Sequence, residues 1–317
     1  MNSSLLKLYS SFLLAPLLLV ISCFSYSQPL RVGTTLWPGY EPLYLAEEIN
    51  AFKHDIRIIN YPSSSEVLRA FKNNTLEAAA LTLDEVVLLA ESGSDIDIIL
   101  IMDISEGADV IMGRPELVNM QGLKGAKVAV ESTAVGAYTL SRALEIHNID
   151  IKNISLINSV LSSHKDNYIN KVADAVVTFE PVRTQLLKQG AIELFSSKEM
   201  PGEILDVLVV HKQSISSYQE QLYDIVKGWF EGLKQLKQSP EASYRFIASR
   251  LKLTEDDVKK SYFGLTLPSL KENKSIMLGN PAPLESTLEQ LMQHMINTNL
   301  LDSHNAEKVT INPKFLP

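Results

Sequence analysis

The sequence predicts an α/β protein of two lobes with mainly parallel sheets, joined by two crossover strands. Three observations lead there. Short apolar strands alternate with helices from Leu30 to Phe195, which is the spacing of βαβ units. Two apolar stretches, Ala108–Gly113 and Ile204–His211, bracket the middle segment and read as paired crossovers between lobes. Beyond the second, the pattern is helical.

The opening stretch Leu30–Ala46, LRVGTTLWPGYEPLYLA, organises the rest. Leu30–Thr35 reads as a strand that Pro38 and Gly39 stop, and Pro42 suits the first turn of a following helix. The turn lifts Trp37 and Tyr40 off the carboxyl end of the strand, where open α/β sheets place ligands. Both side chains combine an apolar face with a polar handle, so they are candidate binding residues.

Strand Asp55–Tyr61 follows and ends at Pro62, where a serine hydroxyl can cap the helix Glu66–Asn73. Leu76–Leu81 is a third strand, and Thr82 can cap the helix Asp84–Ser92; Ile96–Met102 is a fourth. Each strand ends in polar or aromatic residues: Trp37 and Tyr40, Ser63–Ser65, Thr82 and Asp84, then Asp103, Ser105 and Glu106. In a parallel sheet these ends share one edge. For Ser64, Ser65 and Thr82, helix capping and ligand contact are equally good readings, and one residue can do both.

The middle segment repeats this grammar. Strand Lys127–Glu131 runs into Ser132, Thr133 and a small-residue turn before a helix to His147. Uncovered N–H groups at that helix start are a ready site for an anion or polar group. Strands near Ile154–Asn158, Ala173–Thr178 and Ile192–Phe195 follow. Glu180 lies between a strand end and Pro181, and is expected either to cap the next helix or to point into a cleft, with the cleft favoured. The C-terminal helices are Gln219–Gln238, Pro240–Leu251, Thr254–Phe263 with a Thr254/Asp257 capping box, and Pro283–Asn299. Trp229 and Phe230 recur with Leu222, Val226 and Leu233 at helical spacing and are expected in the core.

A chain of 317 residues, 45% hydrophobic and 21% charged, is ordinary globular material. Its net charge of −8 argues against nucleic acid and anionic membrane surfaces as partners. No glycine-rich phosphate loop, HExxH, CxxC or EF-hand pattern occurs, so neither cofactor nor metal is expected. Residues 1–27 read as a signal peptide with an apolar run from Phe12 to Ile21. Cleavage before Gln28 and lipobox cleavage before Cys23 fit equally well; the second makes Cys23 a lipidated first residue. Cys23 is the single cysteine, so the exported domain is expected to carry no disulfide.

At the level of motifs the chain resembles the solute-binding proteins of nitrate/sulfonate/taurine-type ABC importers, including the binders of thiamine pyrimidine precursors. The resemblance runs from about Leu30 to Asn299. It rests on VGTTLWPGYEPLYLA, on LTLDE at Leu81–Glu85, on LKGAKVAVESTAVGAY at Leu123–Tyr138 and on VVTFEP at Val176–Pro181. It implies a type II periplasmic-binding-protein fold that captures ligand between lobes and closes by a hinge. Lobe 1 is expected over residues 28–114, lobe 2 over 115–210, with helices in 211–317 completing lobe 1. The implied partners are a small-molecule ligand and an inner-membrane ABC permease, and the implied place is the periplasm, with Cys23 as an optional anchor.

The expected ligand-binding set is Trp37, Tyr40, Ser65, Thr82, Asp84, Glu106, Ser132, Thr133, Phe179, Glu180 and Asp206. Phe179 stands where many relatives have Trp. The carboxylates of Asp84, Glu106, Glu180 and Asp206, with no Arg or Lys at a strand end, favour a ligand with a positive or hydrogen-donating group: an amino-sulfonate, an aminopyrimidine or another amine. The alternative reading is a periplasmic sensor signalling to a membrane receptor. An enzyme is not expected, because enzymes on this fold rely on cysteine chemistry or on their own histidine beside a cysteine cluster.

Overall fold

A computed structural model describes residues 28–302 and 308–317; the signal-peptide and Cys23 expectations lie outside them. Among the described residues no helix is long and apolar enough to cross a membrane.

The chain opens with β1 (Leu30–Thr34), a single 3-10 turn over Pro38–Tyr40 and α1 (Glu41–Glu48). Next come β2 (Ile56–Asn60), α2 (Ser64–Lys72), β3 (Ala78–Thr82), α3 (Leu83–Glu91) and β4 (Ile96–Ser105). The middle of the chain supplies β5 (Val110–Gly113), β6 (Lys127–Val130), α4 (Val135–Ile146), β7 (Ser155–Asn158), α5 (Leu161–Ile169), β8 (Ala175–Thr178), α6 (Val182–Leu187) and β9 (Ile192–Ser196). It ends with β10 (Leu205–His211), α7 (Gln219–Gln238), α8 (Pro240–Leu251), α9 (Glu255–Ser261), β11 (Leu265–Thr266), α10 (Leu270–Met277), α11 (Pro283–Asn297) and β12 (Val309–Ile311).

These strands form two sheets. The larger has the order β11-β4-β10-β3-β1-β2, with β12 also on β4, and the smaller the order β7-β6-β8-β5-β9. In the larger, β1 is parallel to β2 and β3, while β10 lies antiparallel between β3 and β4. In the smaller, β6 is parallel to β7 and β8, and β5 lies antiparallel between β8 and β9. Each half therefore receives one strand that has just crossed from the other. Such strands have the apolar sequence of fully buried sheet centres, and every residue of β5 and β10 is buried.

The crossings fall earlier than sequence placed them. β5 belongs to the smaller sheet and β10 to the larger, so the chain passes over at Glu106–Asp109 and again at Ser197–Ile204, not at 114/115 and 210/211. The two passages are tied to each other. Ser197 N donates to Asp109 O (2.9 Å), Gly107 N donates to Ser197 Oγ (2.6 Å), and the hydroxyls of Ser105 and Ser197 lie 2.9 Å apart. The C-terminal region is also not purely helical. β11 and β12 both pair with β4, and α10 was not expected.

Trp229 is fully buried, as its helical spacing predicts, and Phe230 packs at the edge of the same core. Here α7 crosses α1 so closely that a Cβ on Gly232 would stand 1.9 Å from the Pro42 carbonyl oxygen. The expected Thr254/Asp257 capping box is present: Asp257 N donates to Thr254 Oγ1 (3.2 Å).

Candidate functional site

The Trp-Pro-Gly-Tyr turn after β1 meets the carboxyl ends of β3 and β4 in the larger half and the strand end of β8 in the smaller. Between them lies a cavity of about 10 Å³ lined by Thr35, Trp37, Tyr40, Ser64, Thr82, Asp109, Val135, Phe179 and Asp206. That is room for about one water molecule, so the two halves are closed on each other. Trp37 and Phe179 meet edge to face across the gap, ring centroids 5.3 Å apart.

Sheet register builds the floor. Because β10 lies between β3 and β4, Asp206 is paired with Thr82 on one side and with Asp103 on the other. Residues paired across strands point to the same face, so Thr82, Asp206 and Asp103 form a row. The turn closes over this row from above. Trp37 Nε1 donates to Asp103 Oδ2 at 3.1 Å, and Tyr40 Oη donates to Asp206 Oδ1. Thr82 Oγ1 and Asp103 Oδ1 are buried without a hydrogen-bond partner.

Glycine is required in this turn for space. A Cβ on Gly39 would stand 1.9 Å from Asp103 Oδ2 and 2.4 Å from Trp37 Nε1. Gly39→Ala is therefore expected to break the Trp37–Asp103 bond and displace Trp37 from the cavity wall, with intrinsic tryptophan fluorescence shifting to longer wavelength and ligand affinity lost. Unchanged emission would show that the turn accommodates the methyl group.

The electrostatics are one-sided. Burial pushes Asp103 and Asp109 up to about 7, Asp84 to about 6 and Glu85 to about 8, in Glu85 with the Asp84 charge adding to it. Asp206 is raised well above the ordinary carboxylate range by burial and by the Asp103 charge beside it. Among the described residues, no Lys or Arg lines the cavity.

The structure sorts the sequence-predicted residues into three groups. Trp37, Tyr40, Thr82, Phe179 and Asp206 line the cavity. Ser65 and Thr133 face each other across the gap, their hydroxyl oxygens 2.6 Å apart, and so join the halves beside the cavity. Asp84, Glu106, Ser132 and Glu180 do not reach it. Asp84 is buried in the first turn of α3, where the Thr82 side chain and the N–H groups of Asp84 and Glu85 offset part of the cost of burying its charge. Glu106 is exposed and accepts from Thr266 Oγ1 (2.7 Å). Ser132 is exposed and donates to Asn158 Oδ1 (3.0 Å).

Glu180 corrects the preference for the cleft. Its carboxylate folds back onto α6, accepting from Thr184 N (3.1 Å), Thr184 Oγ1 (2.9 Å) and Arg183 Nη1 (3.2 Å). A carboxylate at a helix start finds free N–H groups within its own reach, and these outcompete an open cleft. Both readings of Thr82 hold: it is the N-cap residue of α3, its N–H donating to Glu85 Oε2 (3.1 Å) in a capping box, and it also lines the cavity.

The expected set lacks Asp109, Thr35 and Val135 on the wall and the buried Glu85 behind it, while Ser64, read from sequence as a cap or a ligand contact, does line the cavity. Asp103 was visible as a strand-end residue; its partner across β10 was not.

The model of the NMT1-like family matches residues 25–251. Comparison with curated proteins finds no match. Among solved structures, the alkanesulfonate-binding protein SsuA from Xanthomonas axonopodis pv. citri, bound to MOPS, superposes with a TM-score of 0.75 at 13% identity, over 90% of this chain and 98% of that one. The ligand-binding component of an ABC-type import system from Staphylococcus aureus, with zinc bound, gives 0.75 at 11% identity, over 91% and 98%. The nitrate-binding protein NrtA from Synechocystis PCC 6803 gives 0.69 at 12% identity, over 92% and 91%. At these identities the likeness is one of fold: the chain has the periplasmic-binding-protein architecture.

Proposed function

The chain belongs to the NMT1-like family, and from that premise we propose that it captures a small organic solute between its two halves and delivers it to an ABC importer. The solute carries a positive or hydrogen-donating group: an amine, an aminopyrimidine or an amino-sulfonate bound by its amino end. One observation carries the choice. The cavity wall joins Asp109 and Asp206 to the buried Asp103 and Glu85 and, among the described residues, includes no basic side chain. A bare anion would meet those carboxylates with nothing to offset them, whereas an ammonium or amidine would supply the missing partner. Trp37 and Phe179 would enclose the apolar body of the solute. We read the protein as a binder and not an enzyme, exported and acting in the periplasm.

A thermal-shift screen against amines, aminopyrimidines, taurine, MOPS, alkanesulfonates, nitrate and bicarbonate tests this. A ligand at a hundred times its dissociation constant stabilises by about 2.7 kcal/mol, which a melt resolves. Stabilisation by amino compounds alone is the expected result; stabilisation by nitrate or simple sulfonates would overturn the charge argument.

A further inference from the structure

Two helices begin at the gap from opposite sides, α2 in the larger half and α4 in the smaller. Their first N–H groups lack partners within their own helices and carry the positive end of the helix dipole. Each is occupied by a carboxylate from the other half. Ser65 N, at the start of α2, donates to Glu131 Oε1 of the smaller half at 3.0 Å. Val135 N, at the start of α4, donates to Glu85 Oε1 of the larger half at 3.4 Å. Both carboxylates are buried, at 5% and 1% exposure. The Ser65–Thr133 hydroxyl pair lies beside the first of these bonds.

We propose that Glu85 and Glu131 are reciprocal caps that latch the two halves and exclude anionic solutes from the cleft. The anion-exclusion part deepens the solute-binding reading above and rests on it; the latch does not need a solute. Each bond exists only when the halves meet, so together they favour closure. They also fill the two N–H positions that a sulfonate or carboxylate entering the cleft would use, and above about pH 8, where Glu85 is ionised, its charge adds to the exclusion. The small-residue turn before α4, which reads from sequence as a ready anion site, is thus filled by the chain's own Glu85.

The test uses the double variant Glu85→Ala with Glu131→Ala, and the charge-only pair Glu85→Gln with Glu131→Gln in case the first does not fold. Small-angle scattering without added solute reads closure, and titration with methanesulfonate and sulfate reads anion binding. The expected result is a larger radius of gyration in the alanine variant. Read at about pH 9, where Glu85 is ionised, anion affinity should rise at least about tenfold in either variant, as removal of a like charge implies. A wild-type protein already open without solute, or an alanine variant as compact as wild type, would overturn the latch. Opening without any gain in anion binding would overturn the exclusion. If the wild type binds no amino compound, the solute-binding reading fails instead, and the scattering still decides the latch.

Discussion

Asp206→Asn is expected to weaken capture of an amino solute by about 30-fold or more while raising the melting temperature of the unliganded protein. Truncating one partner of a buried, hydrogen-bonded charge pair costs about 2–5 kcal/mol, and about 1.4 kcal/mol is tenfold. Asp206 is fitted to be that partner. It lines the cavity, lies between Thr82 and Asp103 in the sheet, and is oriented by the Tyr40 hydroxyl. Asparagine keeps the acceptor for Tyr40 and removes the charge. Without a cationic solute, that charge is a burden, because burial and Asp103 both disfavour it. Calorimetric titration and a melt of the same samples read the two effects. Unchanged affinity would show that the solute does not pair with Asp206; lower stability would show that its charge is already compensated in the closed chain.

The second large effect is on pH. Glu85 is held at about 8, and Asp103, Asp109 and Glu41 at about 7, in each case by burial first. In the unfolded chain such groups are ionised above about pH 5. Between pH 7 and 8.5 the folded chain therefore binds more protons than the unfolded one, and its stability falls as pH rises. The slope is about 1.4 kcal/mol per pH unit for each proton still held. His164, His211 and His294, all pushed down by burial, act in the opposite sense, but only below their ordinary range near 6.5.

Affinity for an amine that stays protonated should move the other way and rise over the same interval, because the solute selects the ionised cluster and expels its protons. The charged groups facing Glu85 in this scheme are Asp84 and Glu131, and those facing Asp109 and Asp206 include Asp84, Asp103 and Glu85. Titrations in two buffers of different ionisation enthalpy count the protons released. A melting temperature and an affinity that are both flat from pH 7 to 8.5 would refute this account.

Much of the framework is legible in the residues themselves. Short apolar runs, the prolines and glycines that end them, and the caps that open helices are local devices, so β1 to β4 and the long α7 can be read in order. The Trp-Pro-Gly-Tyr turn announces itself because few other turns set two large aromatics beside a strand end. Even the two crossing strands show, as apolar runs that bracket the middle segment, although the second also carries Asp206 and His211.

What the chain could not disclose in one dimension is which strand lies beside which, and where a carboxylate finds its nearest N–H. Asp103 and Asp206 are far apart in sequence, and only the insertion of β10 between β3 and β4 sets them side by side. Glu180 and Glu85 both stand at helix starts, yet Glu180 serves its own helix alone, whereas Glu85 accepts from Thr82 N with one oxygen and reaches across to α4 with the other. A parity of one residue separates buried Ser105 from exposed Glu106. Local sequence thus determined the elements, because their hydrogen bonds and turns are closed within a few residues. Tertiary structure alone decided the site, because burial, strand register and the meeting of two halves set which charges become neighbours.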